Sequence, residues 1–528
     1  MARYYSGELM RQAARPTKKT ARVSPSFDWV APTGGWRTDI EMADMPKDAA
    51  FQLDNFFPES NRVRARYGSQ PFATGLGGDV QTIIPYSGAL NKLFASAGSS
   101  LFDISGGGVV GSPVVSGLTS AHWSAQQFTN AGGQYIRMVN GVDTPLLYDG
   151  AAWTTTAITG ISNPKALLAV TAYRSRLWFI EKNSTNIWYL ATDAVSGAAT
   201  LLNVGGNMKY GGILAAIGVW TIPVSTGIQQ ALAIMTSEGE LLVYNGSNPA
   251  DATNWSFVGS FKLGNPIGFD RCLLNVGADL AIMTTDGIIP ITKAVQLDRG
   301  ATDLGAITKP IGPTWLETVA SVGTSSNQWQ LSAFPKRRMA IVNLPNDLGA
   351  YQYVMNTETG AWCRFVGFMA SCWGTWQERL FFGANDGTVY EAEVGASDNG
   401  ASIDALMVGA WSRFGDGIAP KYSKAIGATT QIGPNTTMYA GVSVDYQTSV
   451  PLAVLATVPV SSSSRWGTAV WGQSHFPGTT LTRTFATAGG TGVALAPTIR
   501  ALISGDSGSV SEAGIVGGTI LYERGQPI

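Results

Sequence analysis

The chain has 528 residues, of which 13% are charged and 63 are glycine, whereas roughly 25% charged residues and about 7% glycine are usual in soluble proteins. Hydrophobic residues make up 45% of the sequence, so it can bury large cores, and wholesale disorder is excluded. The formal net charge of −1 argues against a broad basic surface that neutralises many phosphates. No apolar run approaches the roughly 20 residues that cross a bilayer, so we expect no membrane span.

Positive charge is concentrated at the N-terminus. Residues 1–22 hold six basic side chains against Glu8 alone, a net charge of +5, which leaves −6 for the remainder. The segment lacks the apolar stretch of a secretory signal, so we expect a retained arm and assign residues 1–45 to it. Apolar and aromatic side chains beside the basic ones favour partner docking over a solvated tail or a nucleic-acid contact. The predicted docking residues are Arg3, Tyr4, Tyr5, Arg11, Arg15, Lys18, Lys19 and Arg22.

Helices are scarce in the predicted structure, and two short ones stand out. The first runs from Pro46 to Phe57, because proline suits the first turn of a helix and Leu53 and Phe57 follow helical spacing. The second runs from Pro313 to Val322 and carries apolar residues on one face. We expect both helices to pack between sheets.

A hairpin pattern dominates the sequence from roughly residue 80 to residue 395. Each unit is a short apolar strand, a tight polar turn and a second strand rich in aromatic or β-branched residues. The seven predicted hairpins are Lys92–Ile104, Gln134–Tyr148, Arg176–Leu190, Ala231–Tyr244, Asp279–Thr292, Met339–Phe365 and Arg379–Tyr390. Turns such as Asp286-Gly287 and Asp386-Gly387 accept the positive φ angles that a two-residue hairpin requires.

The spacing of these hairpins indicates the fold. Their starts lie roughly 40 to 60 residues apart, which is the length of one four-stranded propeller blade. We therefore predict an all-β chain with a β-propeller of six or seven blades over residues 46–395, and separate β-sandwiches are the alternative architecture. Alternation in Thr430–Tyr446 and Leu495–Ile503 predicts a distal, sandwich-like β domain over residues 396–528.

Residue types that support metal binding or nucleophilic catalysis are sparse. The two histidines, His122 and His475, lie far apart in the sequence and have no neighbours at metal-site spacing. Three cysteines are too few for a disulfide framework, and Cys363 and Cys372, each next to a tryptophan, are typical of buried thiols. We therefore expect synthesis in a reducing cytoplasm, and we predict no cofactor, no metal and no catalytic residue.

Carboxylates are the remaining candidates for chemistry, because propeller glycosidases place two acids roughly 5 to 10 Å apart. Most of the acids occupy turn positions, where aspartate caps the local backbone, and the Asp box of sialidase-like propellers is absent. We therefore predict that the chain is not an enzyme, with a propeller glycosidase as the alternative. The candidate acids are Asp103, Asp149, Glu181, Asp286, Asp386 and Glu391.

Two stretches resemble the tail nozzle, or tail hub, proteins of short-tailed bacteriophages, which carry a propeller. The first is Ala49–Gly75, with Leu53-Asp54-Asn55, a turn at Pro58 and alternating arginines that lead to Tyr67-Gly68. The second comprises Asn356–Trp362 (NTETGAW), Leu380–Gly383, Asp386–Tyr390 and Lys421–Tyr446. Together they cover about residues 46–450.

The resemblance implies a structural virion protein, made in the bacterial host cytoplasm. It implies a ring of six identical subunits below the portal and the tail adaptor ring, in a tube that continues the DNA channel and gates genome release. Tail fibres or spikes and a tail needle or plug are the further partners it implies, with non-specific passage of double-stranded DNA. Two alternatives stay open: a virion depolymerase that acts on host surface polysaccharide, and a scaffold propeller that binds proteins.

Overall fold

The structure is a computed structural model that describes residues 24–224, 227–251, 253–277, 279–297, 299–302, 305–433, 435–449, 451–458, 481–505 and 512–526. All eight predicted docking residues of the arm lie outside the described residues, as does His475.

Seven antiparallel sheets follow one another between residues 69 and 392, and we call them blades 1 to 7. Blade 1 comprises Val80–Tyr86, Lys92–Ala97, Ser100–Asp103 and Val115–Ser116; blade 2, Ser124–Asn130, Gly133–Val139, Leu146–Tyr148 and Trp153–Thr154; blade 3, Leu167–Tyr173, Arg176–Glu181, Asn186–Tyr189 and Thr200–Asn203. Blade 4 comprises Leu214–Val224, Gly227–Thr236, Glu240–Gly246 and Trp255–Lys262; blade 5, Leu273–Val276, Asp279–Thr284 and Gly287–Pro290; blade 6, Gln330–Phe334, Met339–Asn343, Tyr351–Asn356 and Trp362–Val366. Blade 7 comprises Ala370–Trp376, Arg379–Ala384, Val389–Ala392 and Ser69–Thr74.

Blade 7 closes the ring with a strand from the other end of the propeller sequence. Ser69–Thr74 pairs antiparallel with Val389–Ala392, and the first strand of blade 7 contacts the first strand of blade 1. The first strands of all seven blades line one central cavity. The architecture is therefore a closed, seven-bladed β-propeller, which confirms the predicted fold class and gives the blade number.

A second pair of sheets forms the rest of the chain. The first sheet has ten strands and includes all four strands of blade 6. Beyond Trp362–Val366, the last strand of that blade, it continues in the order Ala49–Asp54, Ile403–Gly409, Leu495–Ile503, Thr436–Val444 and Ala453–Val458, and Gly35–Trp36 pairs with Ala49–Asp54. The facing sheet contains Phe56–Pro58, Val63–Ala65, Ala513–Arg524, Lys421–Ile432 and Leu481–Thr487, flanked by Ser26–Val30 and Thr491–Gly492. Apolar residues of both sheets share one core, Ile426 and Ile520 from one and Met438 and Ile499 from the other, so this part is a β-sandwich.

The first predicted helix is wrong, and the second is confirmed. Residues Ala49–Asp54 and Phe56–Pro58 are strands separated by Asn55, which has a left-handed φ of 56°. Ala49–Asp54 pairs with Ile403–Gly409, a strand so distant in sequence that local spacing cannot reveal the pairing, and this tertiary contact overrides the helical pattern. Gly312–Val322 is an α-helix with Trp315 buried.

The remaining helices are single turns. The α-helical turns are Ile291–Ala294 and Arg299–Thr302, and the 3-10 turns are Met42–Asp44, Pro164–Ala166, Gly205–Asn207, Phe269–Arg271, Lys309–Ile311, Pro335–Arg337 and Asn346–Leu348. Three two-residue strands complete the propeller: Gly108–Val109 beside Ser69–Thr74, and Ile158–Thr159 with Gly197–Ala198.

Six of the seven predicted hairpins fall on the second and third strands of one blade, and Met339–Phe365 covers the second, third and fourth strands of blade 6. The predicted domain limits stay a prediction. Strand pairing does show that residues 26–65 share their sheets with residues 403–524.

Candidate functional site: the propeller channel and the arginine junction

The propeller channel is a cavity of about 590 Å³ whose wall is built from the first strands of the blades. Two glutamine side chains in this wall hydrogen-bond to the backbone of the neighbouring blade. Gln127 accepts from the Ser87 N–H at 3.0 Å and donates to the Ser87 carbonyl at 2.6 Å. Gln330 accepts from the Trp373 N–H at 2.8 Å and donates to its carbonyl at 2.9 Å. Each amide thus extends the backbone hydrogen-bonding pattern from one blade to the next.

One mouth of the channel is spanned by the turn Phe269–Arg271, which we call the mouth turn. It follows blade 4 and precedes blade 5, and it reaches the opposite side of the ring. Arg271 Nη2 donates to the Gln81 carbonyl at 2.7 Å and to Thr82 Oγ1 at 2.9 Å, both in the first strand of blade 1. Asp270 Oδ1 lies 2.9 Å from Nε2 of His122, just before blade 2.

The backbone of the mouth turn depends on a glycine. Gly268 has a φ of 82°, and a Cβ at this position would lie 2.7 Å from the Trp329 carbonyl oxygen. Phe269 also has a left-handed φ, of 49°, a conformation that is strained for an aromatic residue. The bonds of Asp270 and Arg271 to blades 1 and 2 therefore hold a strained segment in place.

Asp270 is ionised and paired, not poised as an acid. Its side chain is 7% exposed, and burial alone would raise its pKa. The charge and hydrogen bond of His122, with the charge of Arg271, outweigh burial and lower the pKa of Asp270 below its usual value. Among the described residues it is the one carboxylate that lines the cavity.

The six acids that the sequence offered as a glycosidase pair lie away from the channel lining, in turns, ion pairs or local hydrogen bonds. Asp103 pairs with Lys92, Asp286 with Arg299 and Glu391 with Arg379. Asp149 and Asp386 accept backbone N–H groups of their own turns, and Glu181 accepts from Asn186 and Trp188. The Lys92 and Arg379 bonds outweigh burial and lower the pKa values of Asp103 and Glu391.

The sequence offered no role for His122, which has no neighbours at metal-site spacing. The structure places it at the channel mouth in a bond to Asp270. No local signal could have found this contact, because the two residues are 148 positions apart. The three cysteines are buried and free, as predicted for Cys363 and Cys372.

A second candidate site is the junction between the propeller and the β-sandwich, where Arg66 is fully buried. Its Nη1 and Nη2 bind both carboxylate oxygens of Asp398, at 2.9 and 2.6 Å. Further hydrogen bonds run to the Tyr67 and Val366 carbonyls, and the guanidinium lies 3.9 Å from the ring centroid of Phe368. The buried charge is thus both paired and hydrogen-bonded, which burial requires.

Asn55 completes the Arg66 contacts. Its side-chain oxygen accepts from Arg66 Nε at 2.8 Å and from the Val366 N–H at 2.7 Å. Its side-chain amide donates to the Asp404 carbonyl at 2.8 Å. Asn55 therefore bonds to blade 6 through Val366 and to the first long strand of the sandwich through Asp404.

The other two alternating arginines, Arg62 and Arg64, extend this junction. Arg64 lies 3.1 Å from Glu59 and 3.5 Å from Glu393, which follows blade 7. Arg62 binds Glu59 at 2.7 Å and the Gln431 side chain of the sandwich. The three arginines thus join the N-terminal strands to both parts of the molecule, and we call Asn55, Arg62, Arg64, Arg66, Glu393 and Asp398 the arginine junction.

Neither a metal cluster nor a spanning helix is found where the chain is described. No three His, Cys, Asp or Glu side chains of these residues are grouped so that they could hold a metal ion. No helix of the same residues has the length and apolar character needed to cross a membrane.

Among the comparisons with known proteins, only the search of solved structures finds similar chains. No family model matches the chain, and a search of curated proteins finds no match. BBS1N in complex with ARL6DN aligns over 62% of this chain and 97% of its own, with 12% identity and a TM-score of 0.38. The β-propeller domain of Cps50 (Swd1) from Myceliophteria thermophila covers 62% and 99%, with 12% identity and a TM-score of 0.37.

YCF48 from Cyanidioschyzon merolae aligns over 62% of this chain and 99% of its own, with 12% identity and a TM-score of 0.34. The strand pairing of the chain itself carries the fold assignment. It is an all-β protein in which a seven-bladed propeller and a β-sandwich share one continuous sheet.

Proposed function

We propose that the chain is a structural, non-enzymatic subunit of a short-tailed bacteriophage tail. Six copies would form a nozzle that continues the DNA channel below the portal and the adaptor ring and gates genome release. The proposal rests on the resemblance of residues 46–450 to tail nozzle proteins. The observation that supports it in the structure is the arginine junction.

The wall of a conduit has to keep its parts in a fixed relation under stress. Two domains joined only by a loop move relative to one another by default. Here one ten-stranded sheet runs from blade 6 into the sandwich, and the buried Arg66–Asp398 pair lies beside it. A hinge at this position would have to break both the sheet and the ion pair, so the junction suits a rigid wall.

The charge balance also suits a conduit. Each phosphate contact to a DNA-lining surface would add a salt-dependent grip that opposes movement of the DNA. Beyond residue 22, the chain carries a net charge of −6 and few charged residues, so it offers little attraction for phosphates. Few charges also make it less costly to bury wide surfaces between subunits.

The test is the mass of the purified full chain at micromolar concentration, measured by native mass spectrometry. We expect one oligomer with the mass of six chains and no retention on double-stranded DNA at physiological salt. A chain that stays monomeric would contradict the nozzle and favour the scaffold propeller. Cleavage of a surface polysaccharide by the purified chain would contradict the non-enzymatic role and favour the depolymerase.

A further inference from the structure

The first strand of the sandwich, Ser26–Val30, has one edge without a partner strand. On its other side it pairs with Ala513–Arg524, and no further strand of the described chain pairs with it. The unpaired N–H and C=O groups of an edge strand are a template for another strand, and strand addition is a recurring way to bind an extended segment. This edge can therefore accept an extended piece of chain.

An apolar groove lies beside the same strand. Its volume is about 230 Å³, and it is bordered by the strand and by residues 43–47 and 409–413. Trp29 and Trp411 form its floor, and Val30, which is 51% exposed, lines its open side. The volume is below the roughly 300 to 1,000 Å³ of small-molecule sites, so the groove suits a side chain of a docked segment.

The surroundings of the groove carry excess negative charge. Residues 28–59 hold seven acidic and two basic side chains, a net charge of −5. Lys47 and Arg413 line the groove, but more carboxylates than cations are exposed at it. These are Asp28 on the strand and Glu41, Asp44 and Asp48, which flank the groove-lining residues of the 43–47 segment. Four carboxylates against two cations favour a basic occupant.

The basic segment, residues 1–22, has the matching chemistry and the matching place in the chain. It carries a net charge of +5 and includes the apolar or aromatic residues Tyr4, Tyr5, Leu9 and Met10. The described chain begins at Ser24, two residues before the strand that borders the groove. The residues before Ser24 can span up to roughly 75 Å when extended, which is enough to reach a neighbouring copy.

The direction of the chain favours the groove of a neighbouring copy over the chain's own groove. The strand runs along the groove from Ser26 to Val30, so the segment that precedes it leads away. To fill its own groove, that segment would have to reverse direction just before Ser26, where Pro25 favours an extended conformation for Ser24. A ring of identical subunits needs two different surfaces that fit each other, and the basic segment and the groove are such a pair.

We propose that the basic segment of one copy docks along the Ser26–Val30 strand of the next copy. An apolar or aromatic side chain of the segment enters the groove, and its basic side chains face the four carboxylates. The inference rests on the proposed ring and names a contact that joins its subunits. Docking of the segment on its own chain is the alternative that the experiment separates.

The experiment is disulfide cross-linking between two full-length variants, Tyr5→Cys and Val30→Cys, which are purified separately and mixed at micromolar concentration under mild oxidation. The three native cysteines are buried. Mass spectrometry of the digested product identifies the joined peptides. We expect a covalent dimer linked through positions 5 and 30, formed about tenfold or more above the control, because docking raises the effective concentration of the two thiols. The control pairs Tyr5→Cys with Val109→Cys, which replaces a propeller residue that is 84% exposed.

Two changes in the Val30→Cys chain test the groove and the charges. Ala43→Trp fills the groove from an exposed position and should lower the yield about tenfold, with Ala151→Trp on an exposed turn as its control. Glu41→Gln together with Asp44→Asn should lower the yield about threefold or more at low salt and less at 0.5 M salt, where charges are screened. Glu358→Gln together with Glu378→Gln, at exposed propeller positions, is the matched charge control.

The outcomes separate this contact from the ring itself. A mixture that gives no more cross-link than the Val109→Cys control overturns the contact. So does a cross-link that forms only within a chain carrying both Tyr5→Cys and Val30→Cys, because the segment then docks on its own chain. An unaltered chain with the mass of six copies but without the cross-link rejects the contact and leaves the ring, whereas a monomeric unaltered chain rejects the ring.

Discussion

At the scale of residues, two of the Arg–Asp pairs in which the arginine binds both carboxylate oxygens differ in burial. Arg66 binds both oxygens of Asp398, and Arg500 binds both oxygens of Asp404. The Arg66 side chain is 0% exposed and that of Arg500 is 42% exposed. The Asp398 side chain is 16% exposed and that of Asp404 is 48% exposed. Water therefore screens the second pair more strongly than the first, and this difference decides what each carboxylate contributes to stability.

Asp398→Asn should lower the free energy of unfolding by about 3 kcal/mol, because it leaves the buried Arg66 charge without its counter-ion. Asp404→Asn is the matched control and should cost about 1 kcal/mol or less, as exposed pairs do. Guanidinium unfolding monitored by tryptophan fluorescence measures both. Equal losses in the two variants would contradict the role given to the buried pair.

Asp270 predicts a pH dependence of stability. Its pKa is lowered in the folded state, relative to about 3.9 in an unfolded chain, so its contribution is complete above that value and is lost as the pH falls through the lower folded pKa. Asp270→Asn should therefore be less stable than the unaltered chain by about 2 kcal/mol at pH 7. Unfolding midpoints at a series of pH values from 7 to 3 should show the gap narrowing below about pH 4. If the difference in stability between the two proteins stays constant down to pH 3, the ionised carboxylate of Asp270 is not its cause.

At the scale of elements, the two strands of a hairpin are adjacent in sequence, whereas the strands that close the ring or join it to the sandwich are far apart in sequence. The turn at Asp386-Gly387 joins two strands that are adjacent in sequence, so residue types alone predict it. The strand Ala49–Asp54 obtains its partners from Ile403–Gly409, far along the chain, and its sequence misleadingly fits a helix. Ring closure by Ser69–Thr74 depends in the same way on Val389–Ala392. The sequence therefore predicts the individual blades better than the strand pairings that close the ring and join the propeller to the sandwich.

Gly68 tests the closure of the ring. It precedes Ser69–Thr74, and a Cβ there would lie 1.9 Å from the Ser397 carbonyl oxygen, a backbone atom. Gly68→Ala should therefore cost about 2 kcal/mol or more, since the closing strand must shift. Gly106→Ala is the control, because a Cβ there meets nothing within 4 Å, and it should change stability by less than about 0.5 kcal/mol. Thermal unfolding of both variants measures the difference, and a Gly68→Ala protein as stable as the control would refute the closure contact.

At the scale of the whole molecule, the candidate sites combine residues from distant parts of the sequence. The alternating Arg62, Arg64 and Arg66 are visible in the sequence, but their partner Asp398 lies 332 positions beyond Arg66. His122 and Asp270 are similarly remote from one another. Only the folded chain, in which the ring is closed and joined to the sandwich, brings such residues together, so the sequence could suggest the arginines but not the charges that they neutralise.

The arm yields a prediction for the assembly. Deleting residues 1–22 should leave circular dichroism and the unfolding midpoint unchanged and abolish attachment to the neighbouring tail ring, measured by co-sedimentation. Replacing Lys18, Lys19 and Arg22 by glutamine while keeping Tyr4 and Tyr5 separates the role of charge from that of aromatic burial. Unaltered attachment of the deletion variant would refute the docking role.

In the proposed tail, the propeller and sandwich form one rigid subunit of a ring. Electron microscopy of the purified full chain at micromolar concentration tests it most directly. We expect rings of uniform diameter and six-fold symmetry in which each subunit holds its propeller and sandwich in one fixed orientation. Single particles without ring symmetry, or subunits whose two parts adopt variable orientations, would contradict it.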